Sequence, residues 1–130
     1  MGNIEPEKFH GKKILVVEDD PVSTEFLKEV LTALKMKMLH SSSGEEAVRL
    51  CADDHSIDMV LMDIRLTGID GYQATREIKS SNPRLPVVAQ TAYALQGDKE
   101  KAIEAGCDAY ISKPIRISKL MEIFNNIFYP

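Results

Sequence analysis

The sequence predicts an α/β domain in which five strand–helix pairs form a doubly wound parallel sheet with helices on both faces. Short runs rich in Val, Ile and Leu recur roughly every 20–28 residues, and amphipathic stretches separate them, which is the alternation of βα units. The runs are continuously apolar, so we expect the sheet to be buried on both faces. A chain of 130 residues suits one compact domain.

The first strand–helix pair is predicted from residues 13–34. The strand is the apolar run at 13–17, and a cluster of carboxylates follows it. Asp20 is predicted to cap the first helix, with Pro21 at its first position, where proline is favoured because the N–H that it lacks would have no partner. The apolar stripe of this helix has helical spacing and comprises Phe26, Leu27, Val30, Leu31 and Leu34.

The second and third pairs are predicted between residues 36 and 80. A short strand is expected at 36–40, and the segment SGEE (43–46) matches a capping box that opens the second helix. The third strand, at 58–62, is the most apolar, and we expect it near the centre of the sheet. The loop LTGIDG (66–71) leads to a third helix at about 72–80.

The last two pairs have unequal helices. Strands are predicted at 85–90 and 108–112. The fourth helix, at about 96–105, has a thin apolar face, and a weakly anchored helix opens at low free-energy cost, which suits a switch element. The fifth helix, at 117–128, has a strong apolar stripe of Ile117, Leu120, Met121, Phe124, Ile127 and Phe128.

The composition and the N-terminal segment narrow the classes of function that the protein can have. The chain is 44% hydrophobic and 28% charged with a net charge of −4, which argues against a nucleic-acid-binding surface. It has neither an apolar stretch near the ~20 residues of a membrane span nor a signal-peptide core, so we expect a cytoplasmic domain without membrane contact. Cys51 and Cys107 lack metal or redox spacing and are expected to be small apolar fillers. Residues 1–11 are polar with Pro and Gly, and we expect a flexible tail or linker before a domain at 12–130.

Polar residues follow four of the predicted strands. Glu18 and Asp19 follow the first, Asp63 the third, Thr91 the fourth and Lys113 the fifth. Because the carboxyl ends of parallel strands lie on one edge of the sheet, we expect these side chains to converge. Clustered carboxylates are tolerable if a hard cation such as Mg²⁺ joins them. One carboxylate can then act as a nucleophile toward a phosphoryl group, whose oxygens a lysine and a hydroxyl would bind.

Four segments carry a resemblance to a known family. They are ILVVEDD (14–20), VLMDIRLTGIDG (60–71), VVAQTAYA (87–94) and YISKPI (110–115), in that order over nearly the whole chain. Together they resemble the receiver domain of bacterial two-component response regulators, and residues 90–115 particularly resemble receivers of hybrid sensor histidine kinases and phosphorelays. The resemblance implies a flavodoxin-like strand order, 2-1-3-4-5. It fits both a complete small regulator and the receiver part of a hybrid kinase.

The resemblance implies a metal site and an acceptor. Asp63 matches the phospho-accepting aspartate, Asp19 the direct Mg²⁺ ligand and Glu18 the acid that holds the metal mainly through water. Arg65 is expected to lend its backbone carbonyl to the metal. Asp20 matches no required ligand, and we assign it to the helix cap.

The resemblance also implies a switch. Thr91 matches the hydroxyl that moves to the phosphoryl group, Lys113 the phosphate-binding lysine and Tyr110 the aromatic that rotates inward when Thr91 moves. The bond between Lys113 and Pro114 matches the family's cis peptide. The sequence departs from the family at Thr67, where proline is usual. In the alternative interpretation, Tyr110 is simply a partly buried strand aromatic.

The function implied is signalling and not classical enzyme catalysis. The domain would take a phosphoryl group from a phosphohistidine on a sensor histidine kinase or a histidine phosphotransfer domain. Phosphorylation would change the face formed by helix 4, strand 5 and helix 5, which would then bind a downstream protein. Self-phosphorylation from small phosphodonors and slow autodephosphorylation would be its only reactions. The resemblance fits a monomer or a phosphorylation-dependent dimer.

Two other functions are compatible with parts of this pattern. Phosphatases of the haloacid-dehalogenase type also place an aspartate nucleophile after an apolar strand, but they usually carry a second aspartate two residues later, where this chain has Arg65. A degenerate receiver kept as a scaffold would lack some phosphorylation residues, and all are present. Asp63 as a mere cap of the third helix is disfavoured because Asp70 lies closer to the helix start.

A separate hypothesis concerns how long the phosphorylated form lasts. Arg65 and Tyr93 are expected to flank the path of an attacking water. An arginine side chain has no acceptor for a proton from that water, and Tyr93 is bulky enough to cover the path. We therefore predict slow phosphate loss. In the alternative interpretation, Tyr93 points outward and belongs to a docking surface.

Overall fold

Five parallel strands form one sheet in the order β2-β1-β3-β4-β5, which confirms the predicted fold class and the central position of the third strand. The computed structural model describes residues 5–66, 68–92 and 97–130. Within these ranges, no helix is both long enough and apolar enough to cross a membrane. The elements are β1 (Lys13–Val17), α1 (Pro21–Ala33), β2 (Lys37–Ser41), α2 (Gly44–Asp53), β3 (Met59–Asp63), α3 (Gly71–Ser81), β4 (Val87–Thr91), α4 (Lys99–Ala105), β5 (Ala109–Ser112) and α5 (Ile117–Phe128).

The core has a main part on each face of the sheet. On one face, α1 and α5 pack over strand residues such as Ile14 and Leu61. On the other, α2 and α3 pack over Leu15 and Val60. Successive side chains of a strand point to opposite faces, so each continuous apolar run contributes to both parts. The fourth helix contributes little beyond Ala102, in a small cluster with buried residues of β4 and the segment after β3.

Strands β2, β3 and β4 each end one residue later than the sequence indicated. Asp63 and Thr91 are therefore the last residues of β3 and β4, and not the first residues after them. The backbone ladder continues past the apolar run, since the N–H of Ile64 donates to Gln90 O at 3.1 Å and the N–H of Lys113 donates to Thr91 O at 2.8 Å. A polar side chain does not interrupt backbone pairing, so side-chain polarity placed these boundaries one residue early.

Side-chain caps fix the starts of three helices as predicted. Asp20, Ser43 and Asp70 each accept a hydrogen bond from the backbone N–H three residues ahead, at 3.0, 3.2 and 2.9 Å. The α-helical part of the fourth helix spans Lys99–Ala105, and the expected start at residue 96 lies outside the described residues. The helix ends at Gly106, whose φ of 105° is a conformation that glycine adopts without steric cost.

Two apolar side chains of the predicted stripes face outward. Phe26 of α1 is 38% exposed and Ile117 at the start of α5 is 47% exposed, whereas Ile123, outside the predicted stripe, is buried. A stripe drawn by spacing alone is wider than the surface that one helix can bury, and its edge residues remain in solvent.

The packed core extends further toward the N-terminus than the expected boundary at residue 12. Residues Pro6–Phe9 form a 3₁₀ turn, and Phe9 is fully buried. Its ring lies edge-on to Phe124 with centroids 5.7 Å apart, and Tyr129 Oη donates to Lys8 O at 2.5 Å. The expectation of a tail through residue 11 is therefore wrong for this turn. A single aromatic residue among polar neighbours has no periodicity from which burial could be predicted.

Candidate functional site

Three carboxylates meet at the carboxyl edge of the sheet. Glu18 and Asp19 follow β1, and Asp63 ends the neighbouring β3. Because Val17 pairs with Met62, the next residues on the two strands lie side by side. Glu18, Asp19 and Asp63 each offer an oxygen, and these atoms lie within 4.8 Å of one another. Glu18 is fully buried and Asp63 is 4% exposed, while Asp19 is exposed.

The ammonium of Lys113 neutralises part of this charge. It lies 2.8 Å from Glu18 Oε1 and 3.1 Å from Asp63 Oδ2, and it reaches this position from the end of β5, where the Lys113–Pro114 bond is cis as expected. Burial by itself would lower the pKa of Lys113, but the hydrogen bond to Glu18 and the charge of Asp63 outweigh burial and raise this pKa. Burial, together with Asp63, raises the pKa of Glu18 to about 6 despite the opposing effect of Lys113. The lysine thus remains charged within a strongly acidic cluster.

Asp63 is fixed from two sides. The backbone N–H of Arg65 donates to its Oδ1 at 2.9 Å, and Lys113 contacts its Oδ2. Asp63 does not cap α3, because Asp70 fills that role. Asp20 caps α1 as the sequence predicted, whereas Glu18 and Asp19 belong to the carboxylate cluster.

The donor set fits a hard divalent cation. Carboxylate and carbonyl oxygens are the ligands that Mg²⁺ accepts, and Mg²⁺ usually keeps several waters in its shell. The cluster offers carboxylate oxygens from Glu18, Asp19 and Asp63 at mutual distances that one ion can join. Neither cysteine lies in this cluster, so no soft ligand favours a transition metal within the described part of the chain.

Asp63 pairs with Gln90, and successive side chains of a strand point to opposite faces. Thr91, the next residue of β4, therefore points away from Asp63 at the same carboxyl edge of the sheet. Thr91 Oγ1 donates to Asp98 Oδ2 at 2.5 Å, and both residues are almost completely buried. Asp98 Oδ1 in turn accepts from Tyr72 Oη at 2.9 Å, and Arg65 Nη2 lies 3.8 Å from Asp98 Oδ2. Sequence reasoning missed Asp98 and Tyr72, because an aspartate at a helix start is most simply interpreted as a cap.

Tyr110 is already partly inside the protein. Its side chain packs in the small cluster with Ala89 and Ala102, and its hydroxyl is buried with no hydrogen-bond partner among the described residues. Burial and the nearby charge of Asp98 raise its pKa. Two positions singled out from the sequence, Thr67 and Tyr93, lie outside the described residues.

The faces of β5, α4 and α5 enclose a groove of about 780 Å³. Its lining includes Ile103 of α4, Tyr110 and Lys113 of the β5 region, and Lys119 of α5. Lys113 therefore borders both the carboxylate cluster and this groove. A second, smaller and mostly apolar groove of about 280 Å³ is lined by residues of α1 and of the segment after β5.

Comparison with known proteins agrees with this geometry. The family model of the response regulator receiver domain matches residues 14–125. The polar-differentiation response regulator DivK of Brucella ovis is 35% identical over 113 residues, which cover 85% of this chain and 91% of that protein.

Solved structures with the same fold include receivers from kinases and phosphorelays. The receiver domain of the sensor histidine kinase PA1611 from Pseudomonas aeruginosa PAO1, solved with a magnesium ion in its active-site cleft, is 38% identical, with a TM-score of 0.86 over 92% of this chain and 99% of that chain. The Saccharomyces cerevisiae Ssk1 receiver, solved with the phosphotransfer protein Ypd1, is 26% identical, with a TM-score of 0.83 over 90% of this chain and 88% of that chain. The chain belongs to the response regulator receiver domain family, whose members act in signalling and are not classical enzymes.

Proposed function

We propose that this domain accepts a phosphoryl group on Asp63 from a phosphohistidine of a sensor histidine kinase or a histidine phosphotransfer protein. The observation that carries the proposal is the position of the Asp63 carboxylate, buried between the Arg65 N–H and the Lys113 ammonium and beside two further carboxylates. In this position Asp63 would act as the nucleophile, and the Lys113 ammonium would lie beside the phosphoryl group that Asp63 receives. The complex of Ypd1 with the Ssk1 receiver supports the class of partner.

The transfer itself needs positioning and charge neutralisation more than acid–base chemistry. One Asp63 oxygen forms a bond to phosphorus, the P–N bond of the donor breaks, and its electron pair stays on the imidazole. Glu18, Asp19, Asp63 and the Arg65 carbonyl would hold Mg²⁺, which supplies charge neutralisation at the phosphoryl oxygens. Lys113, which has three donors, exchanges a carboxylate partner for a phosphoryl oxygen.

The test is labelling with acetyl phosphate and Mg²⁺, followed by mass spectrometry of the intact chain. The wild type should gain one phosphoryl group, and Asp63→Asn should gain none. A matched control is Asp70→Asn, which changes the aspartate that caps α3, and it should still be labelled. Equal labelling of Asp63→Asn and the wild type would disprove the site assignment.

The output of the domain is proposed to be a change of the α4–β5–α5 face. Thr91 and Lys113 would both move toward the phosphoryl group, and each lies next to this face. The fourth helix has seven residues with only Ala102 and Ala105 buried, so it has little packing to resist a shift. Hydrogen exchange with and without phosphodonor should show the largest change in α4 and β5, and unchanged exchange there in a labelled protein would contradict the proposal.

The donor protein is proposed to dock over the N-terminal end of α1. Val22 is 78% exposed and Phe26 38% exposed, and both line the small apolar groove together with Lys113, Pro114 and Ile115. Since Lys113 also contacts Asp63, a partner that covers this groove places its histidine near the acceptor. Phe26→Asp should slow labelling from a phosphorylated phosphotransfer protein and leave labelling from acetyl phosphate unchanged. Equal slowing with both donors would contradict docking at this surface.

The phospho-form is proposed to be long-lived. The Arg65 side chain is 58% exposed and lies near Asp98, and a guanidinium has no acceptor with which to orient water. The double variant Arg65→Asn, Tyr93→Glu should lose phosphate faster than the wild type, and an unchanged rate would contradict the proposal that these two side chains shield the phosphoryl group from water.

The domain is further proposed to act in the cytoplasm, because the free thiols of Cys51 and Cys107 fit a reducing compartment.

A further inference from the structure

The carboxylate of Asp98 is the most deeply buried charge on the Thr91 side of the sheet. Asp98 is 3% exposed and lies just before α4, seven residues after Thr91. Its two oxygens accept hydrogen bonds from the Thr91 and Tyr72 hydroxyls at 2.5 and 2.9 Å. Arg65 adds a longer ionic contact at 3.8 Å. The fold thus connects the end of β4, the first turn of α3 and the start of α4 through one side chain.

The charge on this side chain is retained despite its burial. Burial alone would raise the pKa of Asp98, but the hydrogen bonds from Thr91 and Tyr72 and the charge of Arg65 lower it. Burial and the hydrogen bond to Asp98 raise the pKa of Tyr72 in turn, so this phenol remains a donor. Hydrogen bonds to an ionised acceptor are about twice as strong as bonds between neutral groups. Thr91 is therefore firmly held on the side away from Asp63.

A threonine hydroxyl has one hydrogen to donate. Thr91 cannot donate it to Asp98 and to a phosphoryl oxygen on Asp63 at the same time. We propose that Asp98 is a positioning residue that holds the Thr91 hydroxyl in the unphosphorylated form and opposes the switch until phosphorylation breaks this bond. This inference rests on the proposed function of Asp63 as the acceptor.

Tyr72 has the opposite effect in this arrangement. When Thr91 leaves, the Tyr72 hydroxyl is the remaining short hydrogen bond to Asp98 among those that the described residues show. A buried carboxylate without partners is costly. By keeping its own hydrogen bond to Asp98, Tyr72 lowers the free-energy cost of breaking the bond between Thr91 and Asp98. Removing Asp98's charge and removing Tyr72's hydroxyl should consequently move the switch in opposite directions.

The experiment measures the affinity of the Mg²⁺-loaded protein for beryllofluoride, an analogue of the phosphoryl group. Asp98→Asn keeps the shape but replaces a charged acceptor by a neutral one, which should tighten beryllofluoride binding about tenfold. Tyr72→Phe should weaken binding. Removing the negative charge of Asp98 would by itself favour binding of the anionic beryllofluoride. Both changes are therefore repeated in a Thr91→Ala background. There the gain in beryllofluoride affinity from Asp98→Asn should fall to the part that is due to charge alone. A melting curve of each variant verifies that it folds.

Each outcome decides between the alternatives. Tighter binding in Asp98→Asn that largely disappears without the Thr91 hydroxyl supports the inference. The same tightening with and without that hydroxyl would show that only charge matters and would overturn it, as would unchanged binding in Asp98→Asn. Asp98→Ala serves in the same comparison if the asparagine variant does not fold. A wild type that neither binds beryllofluoride nor is labelled by acetyl phosphate would instead refute the proposed function.

Discussion

Replacing Gly71 by alanine should damage the acceptor strand directly. Gly71 is the first residue of α3, and its N–H donates to Ile64 O at 3.1 Å. A Cβ at this position would lie 2.4 Å from Asp63 O and 2.8 Å from Ile64 Cα. Both atoms belong to the backbone at the end of β3, which is hydrogen-bonded between β1 and β4, so neither can turn away as a side chain would.

The cost of this substitution can be estimated from the overlap. The backbone must separate by about 1 Å to reach an ordinary contact of 3.4 Å. Overpacking costs about 1–3 kcal/mol, and a clash with central backbone belongs at the upper end. Alanine regains at most about 1 kcal/mol through its better helix propensity. We therefore expect Gly71→Ala to lower the free energy of unfolding by about 2 kcal/mol. Because the displaced carbonyl belongs to Asp63, labelling by acetyl phosphate should slow by as much as about 100-fold.

The assay is urea unfolding together with the labelling rate, and Gly44→Ala is the matched control. Gly44 is likewise the first residue of its helix and follows a side-chain cap. Its added Cβ would meet Ile69 Cγ1 at 2.8 Å, Ile69 O at 3.0 Å and Ala74 Cβ at 3.2 Å. The nearest backbone atom is thus farther away than at Gly71 and belongs to a loop outside the sheet, so the loss should be smaller, about 1 kcal/mol, with labelling nearly unchanged. A Gly71→Ala protein as stable as the wild type, or two variants that label equally slowly, would refute the reasoning.

Three further predictions test other parts of the molecule. Asp19→Ala should abolish Mg²⁺ binding in a metal titration, whereas Asp20→Ala should retain it and lower the melting temperature through the lost helix cap; equal loss of binding in both would contradict this division. Phe9→Ala should lower the free energy of unfolding by about 3–5 kcal/mol in urea, and a loss below about 1 kcal/mol would show that the 3₁₀ turn is not part of the core. The hydrogen bond from Lys13 holds the pKa of Asp54 well below its usual range, so its contribution to stability is present above about pH 5 and lost as the pH falls toward the low folded-state pKa; Asp54→Asn should lose less stability than the wild type between about pH 5 and 3, and parallel losses would disprove it.

The carboxylate cluster could be predicted from the sequence because it follows from topology alone. In a parallel sheet, residues at the ends of neighbouring strands meet regardless of loop conformation. Glu18 and Asp63 directly follow an apolar run, and Lys113 lies two residues after Ile111, so a boundary error of one residue did not change which side chains converge. The caps were equally accessible because Asp20 and Ser43 act on backbone three residues away.

Asp98 and Phe9 could not be predicted in this way. The contacts of Asp98 depend on how the chain returns after β4, and one aspartate near a helix start has a simpler interpretation as a cap. Phe9 reaches the core by a turn that precedes the first strand, where no periodic pattern indicates burial. Both contacts are set by tertiary packing, which a reading of local spacing does not capture.

In the proposed switch, each group that moves toward the phosphoryl group leaves a buried carboxylate. Lys113 is bound to Glu18 and Asp63, and Thr91 is bound to Asp98. Every hydrogen bond to a charged group contributes about 1.5–3 kcal/mol, so phosphorylation exchanges bonds of similar strength instead of only adding them. The net bias between the two arrangements is then a small difference between large terms, whereas moving a population from 1:99 to 99:1 needs about 5.5 kcal/mol. It follows that single substitutions at Asp98 or Tyr72, neither of which contacts Asp63 among the hydrogen bonds of the described residues, should shift the balance between the two arrangements.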